Sequence, residues 1–144
     1  MASQRKGGQG QIEERSKREQ RANRILDAAA ELMLRWGYNK TTIDDIARYA
    51  GVAKGTIYLH WKTREELFGA LIKREKMEMA EDLKQRITAD PEGATLRGIL
   101  KHSALALMKR PLLKAALLRD MDVLGKLALS EHSSAAYTER LEGF

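Results

Sequence analysis

The sequence predicts an all-α fold, with an N-terminal three-helix head of the helix-turn-helix type joined by a long helix 4 to a helical body. Apolar residues recur at three- and four-residue spacing along most of the chain, and no stretch alternates with the period of two that a half-buried strand needs. The run from Ile43 to Lys62, IDDIARYAGVAKGTIYLHWK, spaces Ala47, Gly51 and Ile57 as two crossing helices and the turn between them require. Ala47 is small enough for a close crossing, Gly51 can take the positive φ of a tight turn, and Ile46, Val52 and Ile57 can fill the angle between the helices. No internal repeat and no long Gly/Ser linker divides the 144 residues.

Taken in order, residues 1 to about 10 are polar and rich in Gly and Gln, too poor in apolar groups to repay ordering, and read as a disordered arm. Helix 1 starts near Ile12 or Ser16 and carries Ile25, Ala29, Leu32 and Trp36 on one stripe, with Gly37 as its C-terminal stop. Thr42 stands three residues before Asp45 in a capping box that opens helix 2, which runs to Tyr49 or Ala50. Helix 3 follows the Gly51 turn from residue 53 or 54 to about His60, and Thr63 with Glu66 forms a second capping box at the start of helix 4. Leu67, Leu71, Ala80, Leu83 and Ile87 make the inner stripe of helix 4 until Asp90, Pro91 and Gly93 break the pattern.

Leu96, Ile99, Leu100, Ser103 and Leu107 mark the stripe of helix 5, and Pro111 suits the first turn of helix 6. Leu112, Leu113, Ala116, Leu117, Met121, Leu124 and Leu127 keep a helical period, with Gly125 and the Asp120, Asp122 pair allowing a kink, and the segment from about Ser130 carries a weaker pattern. The chain thus divides into a flexible basic arm running into helix 1 (1–20), a helix-turn-helix domain (21–67) and a helical region (68–144).

Charge says what the head is for. The chain has 26 Lys and Arg against 20 Asp and Glu, a net +6, and residues 1–64 hold the whole excess, 13 basic against 7 acidic, while the remainder balances at 13 each. A basic module joined to a neutral one is the footprint of nucleic-acid binding by the basic part. The absence of Cys leaves no disulfide and no thiolate metal site, which suits a reducing cytosol. No apolar run reaches the roughly 18 residues of a membrane span, and the N-terminus lacks the apolar stretch of a signal peptide, so a cytoplasmic protein without membrane contact is expected.

Phosphates are held by charged groups, hydroxyls and helix N-termini, whereas sequence is read by side chains at base edges. In helix 3 the short residues Ala53, Gly55 and Thr56 let the backbone approach the groove while Lys54 reaches a guanine acceptor or a phosphate. Tyr58 and His60 can each donate to a phosphate oxygen. Thr42 at the start of helix 2, and Thr63 and Arg64 at the start of helix 4, place donors at helix N-termini, and Lys40, Arg48 and Lys62 add Coulomb attraction. Trp61 is expected in the core.

These residues resemble a known family. The run from Arg24 to Leu67, with ILDAAAELM, Gly37-Tyr38, Thr41-Thr42, IDDIA, AGVAKGTIYLHW and KTREEL in order, is similar to the TetR family of bacterial transcriptional regulators. The resemblance implies DNA contacts by Thr42, Lys54, Thr56, Tyr58, His60 and Arg64, and a body that binds an effector and forms a homodimer. Met33 and Trp61 stand where the family more often has Phe, which should only repack the head. Members usually run longer and dimerise through two further C-terminal helices, so the chain is expected to be cut short.

The expected function is therefore that of a sequence-specific regulator, a repressor whose two heads read a palindromic double-stranded operator and which a small apolar or amphipathic effector releases through a shift of helix 4. Met77, Met108 and Met121 are the candidate effector-binding residues. The alternative is a helical protein-interaction module with a relic head, binding a partner through the Leu-rich face of helices 5 and 6. An enzyme is not expected, nor a cofactor or metal: His60, His102 and His132 lack metal-ligand spacing and no Gly-rich phosphate loop is present. Asp120, Asp122, Glu131 and His132 read as solvated helix ends.

Overall fold

A computed structural model describes residues 5–118, with side-chain surroundings from Gly7 onward. Six helices follow one another: α1 (Arg5–Trp36), α2 (Ile43–Ala50), α3 (Lys54–His60), α4 (Arg64–Ala89), α5 (Leu96–Met108) and α6 (Pro111–Leu117). No strand occurs among the described residues. The fold is all-α, as its periodicities require.

Local chemistry sets most boundaries. The α1 chain reverses at Gly37, whose φ of 84° is the left-handed conformation that glycine adopts without steric cost. Thr41, fully buried in this corner, donates its hydroxyl to the Gly37 carbonyl at 2.8 Å. At α2 the capping box is present in both halves: Thr42 Oγ1 accepts from the Asp45 amide at 3.2 Å, and an Asp45 carboxylate oxygen accepts from the Thr42 amide at 3.3 Å. The same carboxylate takes the Thr42 hydroxyl, the main reason its pKa lies below the usual value. Gly51 closes α2 at φ 69°, and the Val52 amide returns to the Ala47 carbonyl.

The second cap is only half as expected. Thr63 accepts from the Glu66 amide at 3.1 Å, but the Glu66 carboxylate accepts from the amide of Lys62, not of Thr63, so the reciprocal bond is shifted back by one residue.

One core unites the head with part of the body. Ile25, Ala29, Leu32 and Met33 of α1, Ile46 and Ala47 of α2, and Ile57 of α3 pack with Leu67, Phe68 and Leu71 of α4 and with Leu112 of α6. Tyr38 meets Phe68 edge-on at 4.9 Å between ring centroids, a favourable aromatic arrangement. An ion-pair chain ties the same elements outside the core: Arg74 of α4 pairs with Asp27 of α1 at 2.8 Å, and Arg110 before α6 pairs with Glu78 of α4 at 2.6 Å.

Four expectations need correction. Residues 5–10 are helical rather than a disordered arm, and α1 begins seven residues ahead of Ile12. Helix extension is cheap once the buried turns are formed, and Glu13 and Glu14 stand four residues before Lys17 and Arg18, the favourable ion-pair order. Trp36 is exposed rather than on the buried stripe, where Met33 takes the inward position. Ala80 is exposed and Met79 half-buried in its place. The largest change is in α5, whose buried face is Gly98, His102 and Ala106, while Leu96, Ile99 and Leu100 are exposed.

Close approach rather than apolar character fixes the α5 rotation. A Cβ at Gly98 would lie 2.2 Å from the Glu92 carbonyl oxygen, so a glycine is needed there. His102 Nε2 lies 2.8 Å from Asp90 Oδ2 at the end of α4 and is the main reason that the Asp90 carboxyl titrates below its usual range. The second part of helix 6 with its kink, the segment from Ser130, and the group Asp120, Asp122, Glu131 and His132 lie outside the described residues.

Candidate nucleic-acid interface

Three helices cooperate to hold one of them outward. Ile57 is fully buried on the inner side of α3, against Ile46 and Ala47 of α2, and this pins the rotation of the short helix. Val52 and Trp61 flank it half-buried and packed on the core. With the inner side committed, Lys54, Gly55, Tyr58 and Leu59 are exposed on the outer side. A helix presented in this way, N-terminus free and opposite face buried, has the form that enters a major groove.

Most of the expected contact residues share this surface. Thr42 at the start of α2, Lys54, Gly55 and Tyr58 on α3, and Lys62 and Thr63 in the α3–α4 turn are exposed, and Thr56 and His60 are half-buried at its margin. Lys40 and Arg48 are exposed on the head as well. Lys54 Nζ lies 3.2 Å from an Asp44 carboxylate oxygen, an exposed pair that links the starts of α2 and α3. Such pairs contribute at most about 1 kcal/mol, so a phosphate can replace Asp44 as the partner. A Cβ at Gly55 would meet nothing within 4 Å, so the protein itself does not demand glycine at this position.

His60 sits beside the Trp61 ring, 5.3 Å between centroids. Partial burial lowers its pKa from the usual 6.5, and the positive charges of Arg18 and Arg21 lower it further. The imidazole is therefore neutral at pH 7 and offers one N–H to an acceptor.

Arg64 is half-buried and bonded within the fold. Its guanidinium turns inward, donating Nη2 to the Tyr38 carbonyl at 2.7 Å and Nη1 to the Thr41 carbonyl at 3.1 Å, with the charged carbon 4.0 Å from the Tyr38 ring centroid. The helix-start position suggests an anion contact; in the fold two carbonyls of the α1–α2 corner hold the side chain, that of Tyr38 also accepting from the Thr41 amide.

Sequence reasoning overlooked Leu59. It is 76% exposed in the outer row of α3, and an apolar side chain there has the chemistry to touch a thymine methyl. A leucine where the helical period asks for a polar residue was the available signal.

The expected effector residues fare differently. Met77 and Met108 are 64% and 71% exposed; Met121 lies outside the described residues. Between α4 and the α5–α6 junction there is an open depression of about 360 Å³, lined by charged and polar groups, Glu78, Glu81, Asp82, Gln85, Lys109 and Arg110. Among the described residues no cluster of His, Asp or Glu could hold a metal ion, and no helix is long and apolar enough to cross a membrane.

A head that buries one side of α3 and displays the other has the form of a helix-turn-helix. Residues 25–71 match the family model described as bacterial regulatory proteins, tetR family. Over these residues the chain is similar to that family of transcriptional regulators. It is 42% identical over 86 residues to the fatty acid metabolism regulator protein of Bacillus subtilis, covering 56% of this chain and 43% of that protein. It is 29% identical over 115 residues to the transcriptional regulator AcrR of Shigella flexneri, covering 76% of this chain and 53% of the relative. The chain thus spans about half the length of these curated relatives.

Among solved structures, a TetR-like transcriptional regulator from Rhodococcus sp. RHA1 matches with a TM-score of 0.57 at 28% identity, over 84% of this chain and 64% of that one. A regulator from Aquifex aeolicus, at 24% identity and a TM-score of 0.58, shares the fold over 85% of this chain and 66% of its own.

Proposed function

We propose that this chain is the operator-reading part of a cytoplasmic transcriptional repressor, in which Thr42, Lys54, Gly55, Thr56, Tyr58, His60 and Lys62 meet DNA. The supporting observation is the outward face of α3, held in place by the buried Ile57 and bordered by exposed hydroxyls and cations. Tyr58, Lys62 and Thr42 bind phosphates and set the register, while Lys54 and the short side chains at the start of α3 meet base edges. The repressor acts as a homodimer on a palindromic operator, its two heads entering successive major grooves on one side of the duplex.

A small effector releases it by favouring a different spacing of the heads, and α4 is the element that transmits the change, since it enters the head core through Leu67, Phe68 and Leu71. The relatives support this reading: the matched proteins include regulators named as such, among them a transcriptional repressor, BepR of Brucella suis.

Selection of retained sequences from random duplexes at about 0.15 M salt, the regime in which nonspecific attraction is screened, tests the reading. Enrichment of a palindrome is expected, and Tyr58→Ala and Lys54→Ala should each weaken binding to it by roughly 1–3 kcal/mol. Retention without any sequence preference would overturn it in favour of a helical interaction module.

A further inference from the structure

The N-terminal half of α1 has no role in the core, yet it is the most basic stretch of the chain. Residues 5–24 hold seven Lys and Arg against three Glu, a balance of +4 within a chain whose total is +6. From Gly7 to Arg21 every side chain is exposed.

The helix is continuous through Ile25, so its phase carries over from the buried part to the exposed part. Arg21 and Arg18 lie four and seven residues before Ile25, on the side of α1 that faces the head core. They continue the buried stripe outward, beyond the point where the core ends. Beside α1 at this end lies α3, its neighbour in the fold, and both guanidiniums exert an electrostatic influence on the His60 imidazole at its last turn. Glu14 stands four residues ahead of Arg18, but an exposed pair of that kind is weak enough to yield to a phosphate.

We propose that Arg18 and Arg21 form a second DNA-contacting surface on α1, a phosphate grip beside α3 that holds the backbone outside the stretch α3 reads. This rests on the DNA-binding reading above and extends it to an element that reading leaves unused. Guanidinium is suited to the task, since its fork donates two parallel hydrogen bonds to a phosphate and cannot lose its proton. The contact carries no base information. It increases affinity for any duplex and widens the footprint, because α1 runs on for roughly 24 Å from Arg21 to Arg5, the length of about seven base-pair steps.

The test uses the full chain and compares Arg18→Gln/Arg21→Gln with the parent, on the selected duplex and on an unrelated one, across a series of salt concentrations. Each phosphate contact contributes about 0.9 to the slope of log affinity against log salt, so the double variant should lower that slope by about 2 on both duplexes. Its affinity should fall by the same factor on each, with the preferred sequence unchanged and the far-ultraviolet circular dichroism that of the parent. Lys84→Gln/Lys114→Gln removes the same charge from exposed positions in the body and should leave the slope at the parent value.

An unchanged slope in the α1 variant overturns the proposal, as does an equal fall in the body variant, which would make net charge the cause. Loss confined to the selected duplex also overturns it, because the arginines would then be acting through base reading. If the parent binds both duplexes equally and the slope still falls, the grip stands and sequence-specific repression fails. If the parent binds no duplex, both fall together.

Discussion

Gly55 separates the demands of folding from those of binding. A methyl group there meets only open space in the protein, and alanine is the better helix former by up to about 1 kcal/mol. Gly55→Ala should therefore leave the thermal midpoint equal or slightly raised, while a groove floor close to the start of α3 has no room for the extra carbon. Operator affinity is expected to fall roughly tenfold, within the 1–3 kcal/mol of a single good contact. Equal affinity in a titration of both proteins would show that DNA stays clear of this position. Lys54, tethered by Asp44, and the exposed Leu59 lie on the same short helix, which thus carries both a charge and an apolar tip.

Arg64 illustrates how a side chain at a helix start can be held by the fold. In the sequence, a cation after a threonine cap resembles an anion site; in the fold it fastens the first turn of α4 to the α1–α2 corner, over the Tyr38 ring and onto two carbonyls. Removing it leaves those carbonyls without a charged donor, each bond being of the class that contributes about 1.5–3 kcal/mol. Arg64→Ala should lower stability by about 3 kcal/mol in urea denaturation, with DNA affinity at low temperature nearly intact. A variant of wild-type stability that has lost DNA binding would return Arg64 to the interface.

The six helices and their breaks were legible because glycines, prolines and threonine caps act locally: Gly37, Gly51, Thr42, Asp90 and Pro111 stand where the chain turns. The core of the head was legible too, since Ile25, Ala29 and Leu32 keep one helical phase in α1 and Ile46 and Ile57 stand inward on either side of the Gly51 turn. The rotation of α5 was not. It is set by how near two backbones can come at Gly98 and by the His102–Asp90 pair, both of which link residues of different elements. Arg64 escaped for the same reason, its partners lying more than twenty residues away. Leu59 is legible as an apolar residue out of phase with the buried stripe.

Packing does not stop where the three-helix head ends. Leu112, from α6, is 2% exposed within the core built by α1–α4, and the chain Asp27–Arg74 and Glu78–Arg110 runs alongside it. Truncating a buried leucine costs about 2–5 kcal/mol, and here the loss should register in the head. Both tryptophans, Trp36 and Trp61, belong to the head, so fluorescence reports on it alone. Leu112→Ala is expected to move the fluorescence-detected transition to lower denaturant by that amount, in coincidence with circular dichroism. A fluorescence midpoint unmoved by the substitution would mean that the head folds without α6.

For anyone grafting this reading head onto a foreign sensor, the shared core sets where the seam can run. A splice after Leu67 would leave Phe68, Leu71 and Leu112 to be supplied by a stranger, and the mismatch would surface as a loose head rather than a silent sensor. A workable hybrid must carry α6 along with α1–α4, or redesign the socket into which Leu112 plugs.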